Sequence, residues 1–266
     1  MSRLLIFAIA ALSLSVLTFH RNTVWENDLT LWEDCIEKAG GKGRAYRVLA
    51  DALQKENKWE AAILNYKKSA ELEPASSLTF NNLGVTYEKT GLFDQAEDLY
   101  RKTLKLSPGY PDALNNLGNL NMKLNRIEEA IRYFSLAAQG KKKPDYYYNL
   151  GTAYMTKGMW EEALFWIKKA LVIEDELPQA HCNLGIIYFY HKNSPEEAVA
   201  EFKRSLEIDP DFMESHVNLG ILYHSVYKDQ KAALLHLKRS LELTRDPSKL
   251  NLIRDLIKEL KYGIQN

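Results

Sequence analysis

From Gly43 to Pro247 the chain repeats itself about every 34 residues, six times over. Leu83-Gly84, Leu117-Gly118, Leu150-Gly151, Leu184-Gly185 and Leu219-Gly220 set the phase, and an alanine recurs on the next helical stretch. A period of this length encodes a helix pair that cannot bury its apolar face alone, so successive pairs must stack. Such a chain offers a long surface rather than a catalytic pocket. The expected fold is all-α, an α-α superhelix of six full repeats, with a leading half-repeat helix and a C-terminal capping helix.

With Gly43 at position 1, the first repeat reads Tyr46, Leu49-Ala50, Leu53, Ala62, Tyr66, Ser69 and Pro74. The second reads Phe80, Leu83-Gly84, Tyr87, Ala96, Tyr100, Thr103 and Pro108. The fifth and sixth place His181 and His216 where most others have an aromatic, and carry one extra residue in the turn, at 191–195 and 227–230. A glycine inside a helix costs about 1 kcal/mol relative to alanine. The expected return is close approach, with the small residue of the first helix facing a small residue of the second. Leu, Tyr and Phe at helical spacing then fill the seam. Prolines are expected to end second helices, because the residue before proline resists helical geometry.

Upstream, Asp28, Trp32 and Cys35 fall in phase with the second-helix positions of a missing repeat, so residues 29–39 are expected to close the amino-terminal end. Downstream, 248–262 reads as a cap, with Leu250, Ile253, Leu256, Ile257 and Leu260 on one face. Ahead of both, sixteen uncharged residues, 4–19, separate Arg3 from His20-Arg21. Three readings compete. A cleaved signal would leave an apolar new terminus, since Ala8-Ile9-Ala10 lies mid-run. A buried core helix conflicts with a segment apolar on all faces. A retained membrane anchor is preferred. The division that follows is 1–21 anchor, 22–42 leading helix, 43–247 repeats and 248–266 cap and tail. Arg3 with the α-amino group outweighs Arg21, which places the repeats on the non-cytoplasmic side, in a periplasm or lumen. A cytoplasmic location follows if the first residues are not a membrane segment.

Lys plus Arg equals Asp plus Glu, at 35 each, so nothing in the charge balance draws the chain to nucleic acid. Six histidines lack ligand spacing, and no phosphate loop, nucleophile elbow or paired-carboxylate pattern emerges. The expectation is a protein that is not an enzyme and needs neither cofactor nor metal. Cys35 and Cys182 lie too far apart in the array to suggest a disulfide. Glu128-Glu129, Glu161-Glu162 and Glu196-Glu197 open second helices, where they favour the positive end of the helix dipole.

The recurring Leu-Gly, Tyr, Ala, aromatic and Pro positions resemble the tetratricopeptide repeat family over 43–247. That resemblance implies a concave groove, lined by first helices, that binds peptides or partner proteins. A narrower resemblance rests on Phe19-His20-Arg21-Asn22-Thr23-Val24-Trp25, then Leu31-Trp32-Glu33-Asp34 to Lys38 and Arg44-Ala45. This junction looks like the end of the membrane part of the transmembrane and tetratricopeptide-repeat O-mannosyltransferases and their bacterial relatives. It implies an accessory or detached repeat tail of a membrane O-glycosyltransferase, presenting acceptor protein to it. The sugar-transfer residues of that family lie in early loops, so none carries over to this chain.

Five asparagines share one repeat position: Asn82, Asn116, Asn149, Asn183 and Asn218. An amide both donates and accepts, so a ladder of them can hold peptide main chain without reading its sequence. The repeat domains of O-GlcNAc transferases are similar in carrying such a ladder; asparagine is also simply common there in the family. Neighbouring groove candidates are Asn81, Asn115, Asn119, Tyr148 and Tyr190, with no single sign of charge dominating. The function expected is a membrane-anchored, non-catalytic scaffold for a partner protein or extended peptide, with an integral membrane glycosyltransferase as the alternative partner.

Overall fold

The computed structural model describes residues 12–19, 22, 27–39, 41–140 and 142–262. Among these, all regular secondary structure is helical. The chain divides into two compact units, Met1–Leu120 and Asn121–Asn266. In the first, α1 (Asp28–Ala39) precedes the pairs α2 (Gly43–Lys55) with α3 (Trp59–Leu72) and α4 (Ser77–Lys89) with α5 (Phe93–Leu106). Helix α6 (Pro111–Lys123) carries the chain past the boundary, where α7 (Ile127–Gly140) completes its repeat. The second unit continues with α8 (Pro144–Thr156), α9 (Trp160–Ile173), α10 (Pro178–Tyr190), α11 (Pro195–Ile208), α12 (Met213–Ser225), α13 (Gln230–Leu243) and α14 (Pro247–Tyr262).

The helix pairs follow the repeat phase. Leu49, Ala50, Leu53, Ala62, Tyr66 and Leu83 form the core of the first pair, and α1 lays Leu29, Trp32 and Ile36 against it. The leading helix therefore exists, starting at Asp28. At the other end, Ile253, Ile257 and Leu260 of α14 bury against Ala233 and Leu237, with Leu256 half-buried beside them. This is the expected capping face, begun one residue early at Pro247. Pro74, Pro108 and Pro210 follow Glu73, Ser107 and Asp209, whose φ values of −130°, −141° and −129° break the helix. Glu174 does the same at −145° with no proline after it, so packing sets the connector and proline reinforces it.

One detail of packing departs from expectation. The first-helix glycine faces a bulky side chain of the second helix: a ring at Gly84 and Gly185, and Ile167 or Leu237 at Gly151 and Gly220, where the carbonyl of Ala163 or Ala233 also lies close. A Cβ on Gly84 would lie 2.7 Å from the Tyr100 ring, and one on Gly185 2.5 Å from the Phe202 ring. The buried alanines Ala96 and Ala198 sit one turn earlier on those helices. The glycine is thus a notch that lets a bulky side chain pack close against helix backbone, which close-packed interiors reward.

Each turn within a repeat reverses through one left-handed residue: Asn57, Gly91, Asn125, Gly158, Asn193 and Lys228. Glycine adopts this region freely and asparagine tolerates it; a side chain like lysine costs roughly 1–2 kcal/mol. Lys228, at φ 56°, is the mismatched member. Lys228→Gly is expected to stabilise the sixth repeat by about 0.5–1 kcal/mol, after allowing for the freer unfolded chain. A thermal melt checks this, and a lowered midpoint refutes it.

Residues 12–19 are helical, and Leu12, Leu14, Val16, Leu17 and Phe19 are each 62% to 72% exposed. That exposure excludes the buried-core-helix reading for this stretch. Residues 4–11 of the expected anchor lie outside the described residues. Among the described residues no helix is long and apolar enough to cross a membrane.

Candidate functional site

First helices repeat their faces, so residues at equal positions line up along each unit. In the first unit this brings side chains of three repeats into one hydrogen-bonded chain. Arg47 Nη1 donates to Asp51 Oδ2 (3.0 Å), and Asn82 Nδ2 donates to Asp51 Oδ1 (2.9 Å). Asn81 Nδ2 donates to Asn82 Oδ1 (3.3 Å), and Asn116 Nδ2 donates to Asn81 Oδ1 (3.1 Å). The Tyr66 hydroxyl donates to Asp51 Oδ1 at 2.5 Å. Burial, then the hydrogen bond to Asp51 and its charge, push the Tyr66 phenol up, so it stays a neutral donor.

Asn81 is only 5% exposed, and its amide bridges Asn82 and Asn116. Sequence reading missed Asp51, which stands where later repeats have Val85 or Asn119. The signal was present: a carboxylate on the first helix opposite a second-helix tyrosine recurs as Glu88 and Tyr100, joined at 2.9 Å.

In the second unit α8, α10 and α12 enclose a cavity of about 350 Å³. Tyr148, Gln179, Asn183, Ile186, Phe212 and Asn218 line it, with Cys182 and Glu214. Asn183 Nδ2 donates to the Tyr148 hydroxyl (3.4 Å) and to Thr152 Oγ1 (3.3 Å). Asn218 Nδ2 donates to the Glu214 carbonyl (2.9 Å). Burial raises the Tyr148 phenol. Burial also pushes the Cys182 thiol up to about 11, so at neutral pH it is no nucleophile.

The structure therefore gathers two sets of the expected residues: Asn81, Asn82 and Asn116 in one unit, and Tyr148, Asn183 and Asn218 in the other. Asn115, Asn119 and Asn149 are half-buried on their first helices. Tyr190 stands apart, 60% exposed, its ring 4.5 Å from that of Phe189. Asn82, Asn116 and Asn183 are thus also glue between repeats, because their N–H groups reach backwards to the preceding first helix.

The histidines at the aromatic position are packed. His181 Nδ1 lies 2.7 Å from Glu201 Oε2, and its Nε2 lies 3.0 Å from the Asp175 carbonyl. His216 Nε2 lies 3.0 Å from the Pro210 carbonyl, and its Nδ1 meets His236 Nδ1 at 2.9 Å. Among the described residues no group of three or more His, Cys, Asp or Glu could hold a metal ion. The acidic pairs have a second role: Glu128 pairs with Lys157 (3.4 Å) and Glu161 with Lys192 (2.5 Å) of the next repeat. Exposed pairs of this kind contribute about 0–1 kcal/mol each.

Models of the tetratricopeptide repeat match residues 81–145, 144–177, and 50–91 with 189–226, together more than half the chain. The chain belongs to the tetratricopeptide repeat family. It is 26% identical over 84 residues to the human Protein O-mannosyl-transferase TMTC3, a match covering 32% of this chain and 9% of that protein's length. Among solved structures it resembles a chain of the APC/C hetero-tetramer Cut9-Hcn1, with TM-score 0.74, 20% identity, and 86% and 45% of the two chains covered. Pseudomonas aeruginosa pilF matches with TM-score 0.71 at 19% identity, over 80% of this chain and 96% of the other. YrrB, a TPR protein with an unusual peptide-binding site, matches with TM-score 0.55 at 20% identity, over 71% and 97%. The fold is a tetratricopeptide solenoid, the architecture of a protein-interaction scaffold.

Proposed function

We propose that this chain is a membrane-anchored scaffold that grips an extended peptide or partner segment on its first-helix face. The observation that carries this is the cavity framed by Tyr148, Asn183 and Asn218, where amides stand beside the apolar Ile186 and Phe212. With their N–H groups already engaged within the protein, the amide oxygens of Asn183 and Asn218 would accept peptide N–H groups. Rigid apolar and aromatic surface beside them would supply the affinity. YrrB, of similar fold, has a peptide-binding site, which supports this reading. Anchoring rests on the apolar run 4–19 and on the exposure of Leu12, Leu14, Val16, Leu17 and Phe19. The repeats would then stand on the non-cytoplasmic side.

A second reading is favoured by the match to TMTC3. The chain would be an accessory or detached repeat tail that presents acceptor protein to an integral membrane O-glycosyltransferase. On this reading the sugar-transfer chemistry would belong to the partner.

One experiment serves both readings. The full chain is recovered from alkali-washed membranes and its partners are captured, beside a variant with Asn82, Asn116, Asn149, Asn183 and Asn218 all changed to alanine. The expected result is retention in the membrane pellet and a partner that the variant, still helical, loses at least tenfold. A variant that folds and keeps its partner removes the ladder, and release by alkali removes the anchor. An integral membrane transferase among the partners selects the second reading.

A further inference from the structure

The cavity at Asn183 and Asn218 arises where equal positions of α10 and α12 face each other. One repeat further on, the same positions of α12 and α14 enclose another cavity, of about 150 Å³. Here the residue types change. Ile253 takes the place of the ladder asparagine Asn218, Val217 takes that of Cys182, and Leu252 continues the same repeat position on α14. Glu214 and Asn218 line both cavities, so the two adjoin across α12. Lys249 pairs with Glu214 at 3.0 Å and ties the cap to the last repeat beside the apolar lining. Leu252 is 60% exposed, whereas Ile253, Ile257 and Leu260 of the cap are buried.

Size and chemistry narrow the occupant. A small-molecule site usually runs from roughly 300 to 1,000 Å³, which is too large. A bound water needs 2–4 polar partners, but the exposed lining is mostly apolar, and Lys249 and Glu214 are paired with each other. A void of roughly 150 Å³ lined by aliphatic groups is known to admit benzene, the bulk of one large apolar side chain. We propose that this socket seats a single bulky apolar side chain (Leu, Ile, Met or Phe) of a peptide whose adjoining main chain lies on the Asn183–Asn218 step. The ladder would then end on a pocket that sets register and specificity, where the amides alone cannot read sequence.

This proposal rests on the reading of the groove as a peptide site, and the test separates the two. A displayed library of random dodecapeptides is panned on the full chain, on Leu252→Glu and on Asn183→Ala with Asn218→Ala. Leu252 is exposed on α14, so its charged variant is expected to fold, and circular dichroism with a thermal melt verifies that. Wild type should enrich peptides with one bulky apolar anchor. Leu252→Glu should bind an enriched peptide roughly ten- to a hundredfold more weakly, the worth of burying one such side chain. It should also enrich sequences without the anchor. If wild type enriches peptides lacking an apolar anchor, or Leu252→Glu keeps the same motif and affinity, the socket is refuted while the groove stands. If wild type enriches nothing, the groove reading fails, and the socket with it.

Discussion

Gly151→Leu is expected to lower the stability of the fourth repeat by about 3 kcal/mol, at the upper end of overpacking costs. A Cβ at this position would lie 2.6 Å from Ile167 Cγ1, 3.1 Å from the Ile167 backbone nitrogen and 3.2 Å from the Ala163 carbonyl oxygen. The first contact can be relieved by a rotamer change. The other two are backbone, and only separation of α8 from α9 relieves them. Alanine adds the same Cβ but recovers about 1 kcal/mol of helix propensity, so Gly151→Ala should cost clearly less than leucine. Because a repeat stack is stabilised by nearest neighbours, the damage should be local. Hydrogen exchange should rise in α8 and α9 before it rises in α12 or α13. Trimming Ile167 to alanine in the leucine variant should restore part of the loss, since it makes room without moving backbone. An unchanged melting midpoint would overturn the notch assignment.

That notch also marks where the repeat pattern stops being informative. Phase alone places α1, the cap and the extra turn residues at 191–195 and 227–230, within a residue of the observed turns at 191–194 and 226–229, because each needs only the direction of helix faces along the chain. Which atoms meet is another matter. Gly84 opposes Tyr100 rather than Ala96, because a ring reaches a full turn beyond its own Cα, a distance that sequence spacing does not encode. Asn81 is buried while Asn82 is half-exposed, although both share the groove side of α4. The difference arises from Asn116, 35 residues on, which draws Asn81 into a bridge. Asp51 escaped notice because its carboxylate–tyrosine pairing recurs at a shifted position, Glu88 aligning with Gln54 rather than with Asp51, and a period reveals only what recurs in register. The apolar socket at Leu252 and Ile253 is likewise a departure from the pattern, legible only once α14 is seen to occupy the place of a seventh first helix.

The histidine pair carries the second large effect, an acid sensitivity centred on the sixth repeat. His216 Nε2 is placed to donate to the Pro210 carbonyl, so a neutral His216 accepts at Nδ1 and His236 Nδ1–H donates to it. Burial first, then the neighbouring His216 and the charge of Lys203, hold His236 down to about 4. In the unfolded chain its value is near 6.5. Between these limits the unfolded chain binds a proton that the folded one refuses, so stability falls as pH drops from about 6.5 to about 4. The full shift corresponds to about 3 kcal/mol at most, and partial exposure of the ring reduces that. His181, at the equivalent position of the fifth repeat, behaves oppositely. Burial would lower it, but Glu201 and the Asp175 carbonyl outweigh burial and raise it. Its contribution is fully present below the ordinary histidine value and is lost as pH rises through the folded value. Acid should therefore loosen α12 and α13 while leaving the His181–Glu201 pair of α10 and α11 intact. Hydrogen exchange at pH 7 and pH 4.5, corrected for intrinsic rates, reads this directly. In His236→Asn the side-chain amide replaces the Nδ1–H donor to His216 without titrating, so the acid loosening of α13 should largely disappear. If α13 opens as readily in that variant as in wild type at pH 4.5, the pair is not the acid-sensitive element.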